Sequence, residues 1–311
     1  MSNTNILSVS GGKDSTAMWL WAIENEIDIG VVCFADTGHE HPITYGYLDY
    51  LESQLGSIQR VKADFSTQIE HKREIVQTKW RNEGVSESII EQALEILRPT
   101  GNPFLDLCLW KGRFPSTMAR FCTEELKIKP IENQVYAPII ERGDEITSFQ
   151  AVRAQESPAR AKLADEEDVL GKYSLLAYHV KRPILRWTVE EVFTMHKRHG
   201  IMPNPLYSQG MSRVGCMPCI NANKNEIYEI AMRFPKEIER VEEWEKLVAK
   251  ASKRAASSFY ALSDRGGVTF KKRSIGRKRL TEVSNTTYSR RKRMCRCVAA
   301  CMVCANKEAD E

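Results

Sequence analysis

The chain has 311 residues, enough to bury a full α/β core with a smaller unit beside it, and 42% apolar with 28% charged residues is the balance of a globular protein. No apolar run reaches the roughly 20 residues a membrane helix needs, and the N-terminus lacks a signal peptide's basic-then-apolar layout, so a cytoplasmic protein with no membrane partner is expected. The net charge of +4 is unevenly shared: residues 271–297 carry eleven Lys/Arg against Glu282 alone, which leaves the remainder at −6.

In chain order, NILSVS (5–10) has the short apolar run of a buried parallel strand, and TAMWLWAIE (16–24) that of a helix. IGVVCFAD (29–36) predicts a second strand, TYGYLDYLESQLG (44–56) a helix closed by Gly56, and IQRVKAD (58–64) a third strand. Helical patterns fill 66–97, and Pro99, Gly101 and Pro103 mark a break. EITSFQAVRA (145–154) and KYSLLAYHV (172–180) predict two more strands, and TVEEVFTMHKRHG (188–200) a helix between Thr188 and Gly200. From Asn221 the pattern is helical to about 259, kinked at Pro235, and it fades after Ser263. Strands alternating with helices predict an α/β fold, a doubly wound and mostly parallel sheet. The expected divisions are a nucleotide-binding domain over 1–220, a helical extension over 221–263 and a basic, cysteine-rich tail over 264–311.

The first chemistry lies in SGGKDS (10–15), between the first strand and the first helix. Two glycines allow close backbone approach to an anion, and the helix N-terminus offers free amides and partial positive charge. The spacing is too short for a Walker loop, and over these residues alone a tight turn that binds nothing would look the same.

Four further segments accompany the loop: FADTGHEHP (34–42), RFCTEELKIKP (120–130), VRAQESPAR (152–160), and PILRWTVEEV (183–192) followed by NPLYSQGMSRVGCMPC (204–219). Together they resemble the adenine nucleotide α-hydrolase (PP-loop) superfamily and, within it, the phosphoadenosine phosphosulfate reductase branch, over about residues 5–235. The resemblance implies that Ser10, Gly11, Gly12, Asp14 and Ser15 cradle the phosphates of ATP with Mg²⁺ assisting, and that Lys13 supplies charge. Lys13, Asp14 and Ser15 are the implied catalytic set. Asp36, Thr37, Arg153, Glu156, Ser157 and Arg160 are the implied nucleotide contacts, and the two arginines can fork onto phosphate or sulfate oxygens.

Of the nine cysteines, Cys216 and Cys219 form a C-x-x-C, a spacing shared by cluster, zinc and redox dithiol sites. By resemblance Cys122 joins them around a [4Fe-4S] cluster. Cluster-bearing adenylyl sulfate reductases carry adjacent cysteines where this chain has Phe121-Cys122, so only three cluster thiols are evident. Cys33, in an apolar strand, and Cys108 are weak candidates for a fourth. An iron left open could hold sulfide, as in the family's tRNA- and DNA-thiolating relatives. The reductases' Glu-Cys-Gly-x-His motif, whose cysteine attacks sulfur, is missing.

Cys295, Cys297, Cys301 and Cys304 are spaced C-x-C-x₃-C-x₂-C, which suits zinc, a second cluster or a persulfide relay, with Arg293 and Arg296 lowering the thiol pKa values. The basic segment beside them predicts contact with a phosphate backbone. Trp80, Trp110 and Trp187 are expected to be packing residues.

The function expected from all this is ATP-dependent sulfur transfer. The enzyme would adenylate a nucleic-acid acceptor, releasing pyrophosphate, and sulfur would displace AMP. The acceptor would be a DNA backbone, as in phosphorothioation, or a tRNA base, and a cysteine desulfurase is one sulfur donor that would serve. The alternatives are a phosphoadenosine phosphosulfate or adenylyl sulfate reductase, and a nucleic-acid-binding protein with an inactive nucleotide fold.

Overall fold

Strand β1 (Asn3–Val9) is fully buried at Ile6 and Leu7, as a central strand must be. It pairs in parallel with β2 (Ile29–Asp36) on one side and β4 (Glu145–Gln150) on the other. In the computed structural model, which describes residues 2–170 and 176–260, β3 (Gln59–Lys62), β5 (Glu166–Leu170) and β6 (Ala177–Lys181) complete a six-stranded sheet. Its order is β3-β2-β1-β4-β6-β5, parallel except for β5, which runs against β6 at the edge. The chain leaves β1 toward β2, while β4 lies on β1's other flank. The strand order therefore reverses between β1 and β4, the switch point at which open α/β sheets bind ligands.

Helices cover both faces. Helices α1 (Lys13–Glu24), α2 (Pro42–Leu55) and α9 (Val189–Arg198) bury Met18, Leu20, Leu48, Leu51 and Val192 against Leu7, Phe34 and Phe149. On the other face Ile6, Val61 and Ile146 meet Val135, Tyr136 and Ile139. These last three belong to a helical stretch in which α6 (Phe121–Thr123), α7 (Lys129–Ile131) and α8 (Ala137–Glu141) alternate with wider π turns at Glu124–Ile128 and Glu132–Tyr136. A third core joins α3 (Ser66–Ile75), α4 (Glu87–Ile96), α5 (Pro103–Lys111), α10 (Lys224–Arg233) and α11 (Pro235–Lys250), with Trp80, Leu97, Phe104, Ile230 and Trp244 at its centre. Cys122 and Cys219 pack against this core.

Several elements differ from expectation. The helical stretch from 66 breaks at Gly84, whose φ of 73° ends the first part. The proline group near 100 starts a helix as well as interrupting one: the Asn102 side chain accepts from the Leu105 amide at 3.0 Å, and Pro103 takes the first helical position. Strand β5, EEDVL, has no apolar run, and pairing with β6 supplies its order. Helix α11 ends at Lys250, short of the expected 259. No helix among the described residues is long and apolar enough to cross a membrane.

Candidate nucleotide and cysteine site

The SGGKDS loop leaves β1 at the switch point. Gly11 has φ +68°, and a Cβ there would stand 2.9 Å from Thr44 Cγ2; only glycine fits both constraints. Gly12 is the N-cap of α1 and has no side chain to cap the first-turn amides. Ser15 turns inward: its hydroxyl accepts from the Ser10 amide at 3.1 Å and donates to the Gly12 carbonyl at 3.1 Å.

The back of the loop is held from far along the chain. Asn204 donates to the Gly11 carbonyl at 3.0 Å, His196 Nε2 meets the Lys13 carbonyl at 2.9 Å, and the Lys13 amide donates to the Tyr207 hydroxyl at 2.9 Å. Sequence reasoning missed these supports. Asn204 and Tyr207 lay inside the quoted NPLY segment, but nothing local to it points back across nearly 200 residues.

Asp14 joins the two sides of the switch point. Arg153, just beyond β4, donates from Nε to Asp14 Oδ1, and Lys13 Nζ lies 3.4 Å from Oδ2. Arg153 is 3% exposed and also donates to Gln155 and to the Trp187 carbonyl. Glu156 accepts from the Arg153 amide and from the Arg160 guanidinium, and Ser157 accepts from the Arg160 amide at 3.2 Å. The segment after β4 is thus a self-knit turn, in which Arg153 and Arg160 pair with Asp14 and Glu156.

At the end of β2, Asp36 accepts from the Tyr45 hydroxyl at 2.7 Å and from the Gly38 amide at 2.9 Å. The same Tyr45 hydroxyl lies 3.3 Å from Glu40, whose buried carboxylate accepts from the Thr37 hydroxyl at 2.8 Å. Glu40 and Thr37 both touch Cys216 Sγ, at 3.7 and 3.6 Å, and a β-bridge ties Glu40 to Cys216. A continuous polar chain therefore runs from Asp36 through Tyr45, Glu40 and Thr37 to the cysteine loop. Beside it His39, fully buried, is held down to about 3 by burial first and by the Arg240 charge second. Its Nε2 meets the Pro218 carbonyl at 2.8 Å, and Arg240 reaches the Met217 carbonyl at 2.7 Å, so His39 ties the Cys216–Cys219 loop to the segment after β2 and Arg240 ties it to α11.

The structure brings Cys122, Cys216 and Cys219 into one electrostatic neighbourhood around Lys127. The Cys216 thiol is pushed up to about 12 by burial, against the pull of Lys127. Burial also raises Cys122, and the neighbouring Cys219 raises it further. Lys127 is held above the ordinary lysine value first by Cys216, with Glu40, Cys219 and Cys122 adding and burial opposing. Cys108 is buried on α5 and feels the charge of Cys122; Cys33 lies under the sheet beside Ser8, where burial lifts it to about 11. Among the described residues no group of three or more His, Cys, Asp or Glu is arranged to hold a metal ion. Cys295, Cys297, Cys301 and Cys304, with the basic segment before them, lie outside the described residues.

An uncharacterized 37.8 kDa protein from the gpa 5' region of Escherichia phage 186 is 57% identical over 269 residues, 83% of this chain and 79% of that protein. An adenosine 5'-phosphosulfate reductase of Allochromatium vinosum is 33% identical over 113 residues, 36% of this chain and 40% of its own. Among solved structures, the phosphoadenylyl-sulfate reductase of Candida auris, in a phosphate complex, is 15% identical and covers 68% of this chain and 81% of its own with a TM-score of 0.41. Residues 4–222 match the phosphoadenosine phosphosulfate reductase domain, a span that begins in β1 and runs past Cys219. By that match the chain belongs to the phosphoadenosine phosphosulfate reductase domain family, a branch of the adenine nucleotide α-hydrolase superfamily.

Proposed function

We propose that the protein is an ATP-dependent sulfurtransferase acting on a nucleic acid. One observation supports the reading: the polar chain Asp36–Tyr45–Glu40–Thr37 runs from the end of β2, the strand paired with the one that feeds the phosphate loop, to Cys216. Nucleotide chemistry and sulfur chemistry would then act on one acceptor.

In the first step an acceptor oxygen attacks the α-phosphorus of ATP, the α–β bridging bond breaks, and pyrophosphate leaves as its Mg²⁺ complex. The Asp14 and Ser15 amides at the start of α1 and the Lys13 ammonium would meet the charge that develops on the phosphates. In the second step a sulfide-level sulfur attacks the activated carbon or phosphorus, and AMP leaves with the acceptor's oxygen. Lys127 would hold the incoming anionic sulfur by charge. Cys122, Cys216 and Cys219 would hold a [4Fe-4S] cluster, their three thiols being a soft donor set gathered about the Lys127 charge. Such a cluster supplies a position for sulfide when one iron lacks a protein ligand.

A second reading, sulfonucleotide reduction, is favoured by the adenosine 5'-phosphosulfate reductases among the relatives. It would need a thiol in place of the missing Glu-Cys-Gly-x-His cysteine. Anaerobic turnover separates the two. AMP and pyrophosphate from α-labelled ATP, enhanced by DNA or tRNA, support sulfur transfer. Sulfite from adenylyl sulfate or its 3'-phosphorylated form, with ATP untouched, overturns it.

A further inference from the structure

Met118 is 94% exposed, the most exposed of the large apolar side chains described. The backbone around it is well defined: Ser116 and Ala119 exchange amide-to-carbonyl hydrogen bonds at 3.2 and 3.1 Å, and the Ala119 amide also meets Ser116 Oγ at 3.1 Å. Phe114 and Pro115 are buried at the base of this turn, with Phe114 edge-on to Phe259 at 5.2 Å. An apolar tip on a braced turn is thereby held out into water.

The charges carried by the segment itself have one sign. No Asp or Glu occurs from residue 107 to 123, while Arg113 and Arg120 flank the tip, both exposed. Neither guanidinium forms an ion pair among the described residues; Arg113 stacks near Phe121, 5.5 Å from its ring centre. An unbranched apolar side chain between two uncommitted cations has the chemistry of a wedge that enters between base steps while arginines hold the adjoining phosphates. Cys122 follows Met118 by four residues, a reach of at most about 14 Å.

We propose that the Ser116–Ala119 turn is a wedge that seats duplex DNA beside the cysteine site, with Arg113 and Arg120 on its phosphates. The proposal rests on the reading that the acceptor is a nucleic acid and names duplex DNA as its form. A short, braced tip with one apolar residue fits entry into a base step of a duplex; single-stranded RNA recognition relies on aromatic platforms, and the two rings flanking the turn, Phe114 and Phe121, are buried and half-buried.

The test uses the full chain and a short duplex labelled at both ends for energy transfer, with unlabelled tRNA as competitor. The Arg113→Ala/Arg120→Ala double variant should lower the slope of log affinity against log salt by about two, one phosphate for each arginine. Met118→Ala should keep that slope and lose the end-to-end shortening that reports a kink. Thermal unfolding midpoints matching wild type show that these surface changes leave the fold intact. Wild-type slope and bend in both variants would overturn the wedge while the nucleic-acid reading stands. Preferential binding of tRNA, with the duplex displaced, would overturn the choice of DNA. Binding of neither nucleic acid by the wild-type chain would remove the acceptor reading and the wedge together.

Discussion

Asp14 sits between Arg153 and Lys13, both buried, so its substitution has two separable effects. Asp14→Ala removes the acid and leaves a buried guanidinium unpaired, a loss of about 3–5 kcal/mol in stability. Asp14→Asn keeps an acceptor for Arg153 but loses the charge and turns an N–H toward Lys13, so it should recover only part of that stability while AMP formation from ATP is lost; thermal unfolding beside an AMP assay checks both. Glu40 is surrounded by donors from Thr37, His39 and Tyr45. The Glu40→Gln amide must aim its own N–H groups at some of them, at about 1–3 kcal/mol for each group left unpaired. The Cys216 loop should loosen and alkylation of Cys216 accelerate about tenfold, with ATP affinity retained. His39 makes a prediction about pH. Its folded pKa lies near 3, below the unfolded value of 6.5, so between these values the unfolded chain binds the extra proton and stability falls as pH falls. A stability profile of His39→Gln should lose about one proton of that acid-side slope and match wild type in slope above pH 6.5.

At the scale of the element, the strand-turn-helix at residues 3–24 is where sequence and structure agree most closely. Gly11, Gly12 and the apolar helix positions all act within one supersecondary unit, and their spacing is a local signal. Gly11→Ala should impair ATP binding for two reasons: a left-handed φ costing about 1–2 kcal/mol for alanine, and the contact with Thr44 Cγ2. Adding Thr44→Ser removes that methyl, so the double variant should recover part of the affinity by calorimetry; no recovery would assign the whole loss to φ. Other elements were harder to read for identifiable reasons. EEDVL resembles a solvated charge run until β6 is known to lie beside it. Pro103 looks like a helix breaker until Asn102 is seen capping the helix it begins. The C-x-x-C spacing singled out Cys216 and Cys219, but Glu40 and Lys127, though inside the quoted segments, acquire their roles only when β2, the 121–141 stretch and the loop at 216 converge.

Over the whole molecule, the sheet's switch point gathers the ends of β1, β2 and β4, and the third core fixes the cysteine loop beside them. Phe104 stacks on His39 at 4.2 Å and Trp244 lies tilted against it at 5.1 Å, so α5 and α11 support the segment after β2 that touches the cysteine loop. This arrangement gives the central claim, that one acceptor meets both chemistries, a stoichiometric consequence. The direct measurement is anaerobic turnover with ³⁵S-labelled sulfide, α-labelled ATP and either DNA or tRNA, counting label in the nucleic acid against AMP and pyrophosphate. The account predicts one sulfur incorporated for each AMP and each pyrophosphate, with no incorporation when ATP is omitted. AMP and pyrophosphate without sulfur in either nucleic acid, or sulfite from a sulfonucleotide with ATP unconsumed, would contradict it.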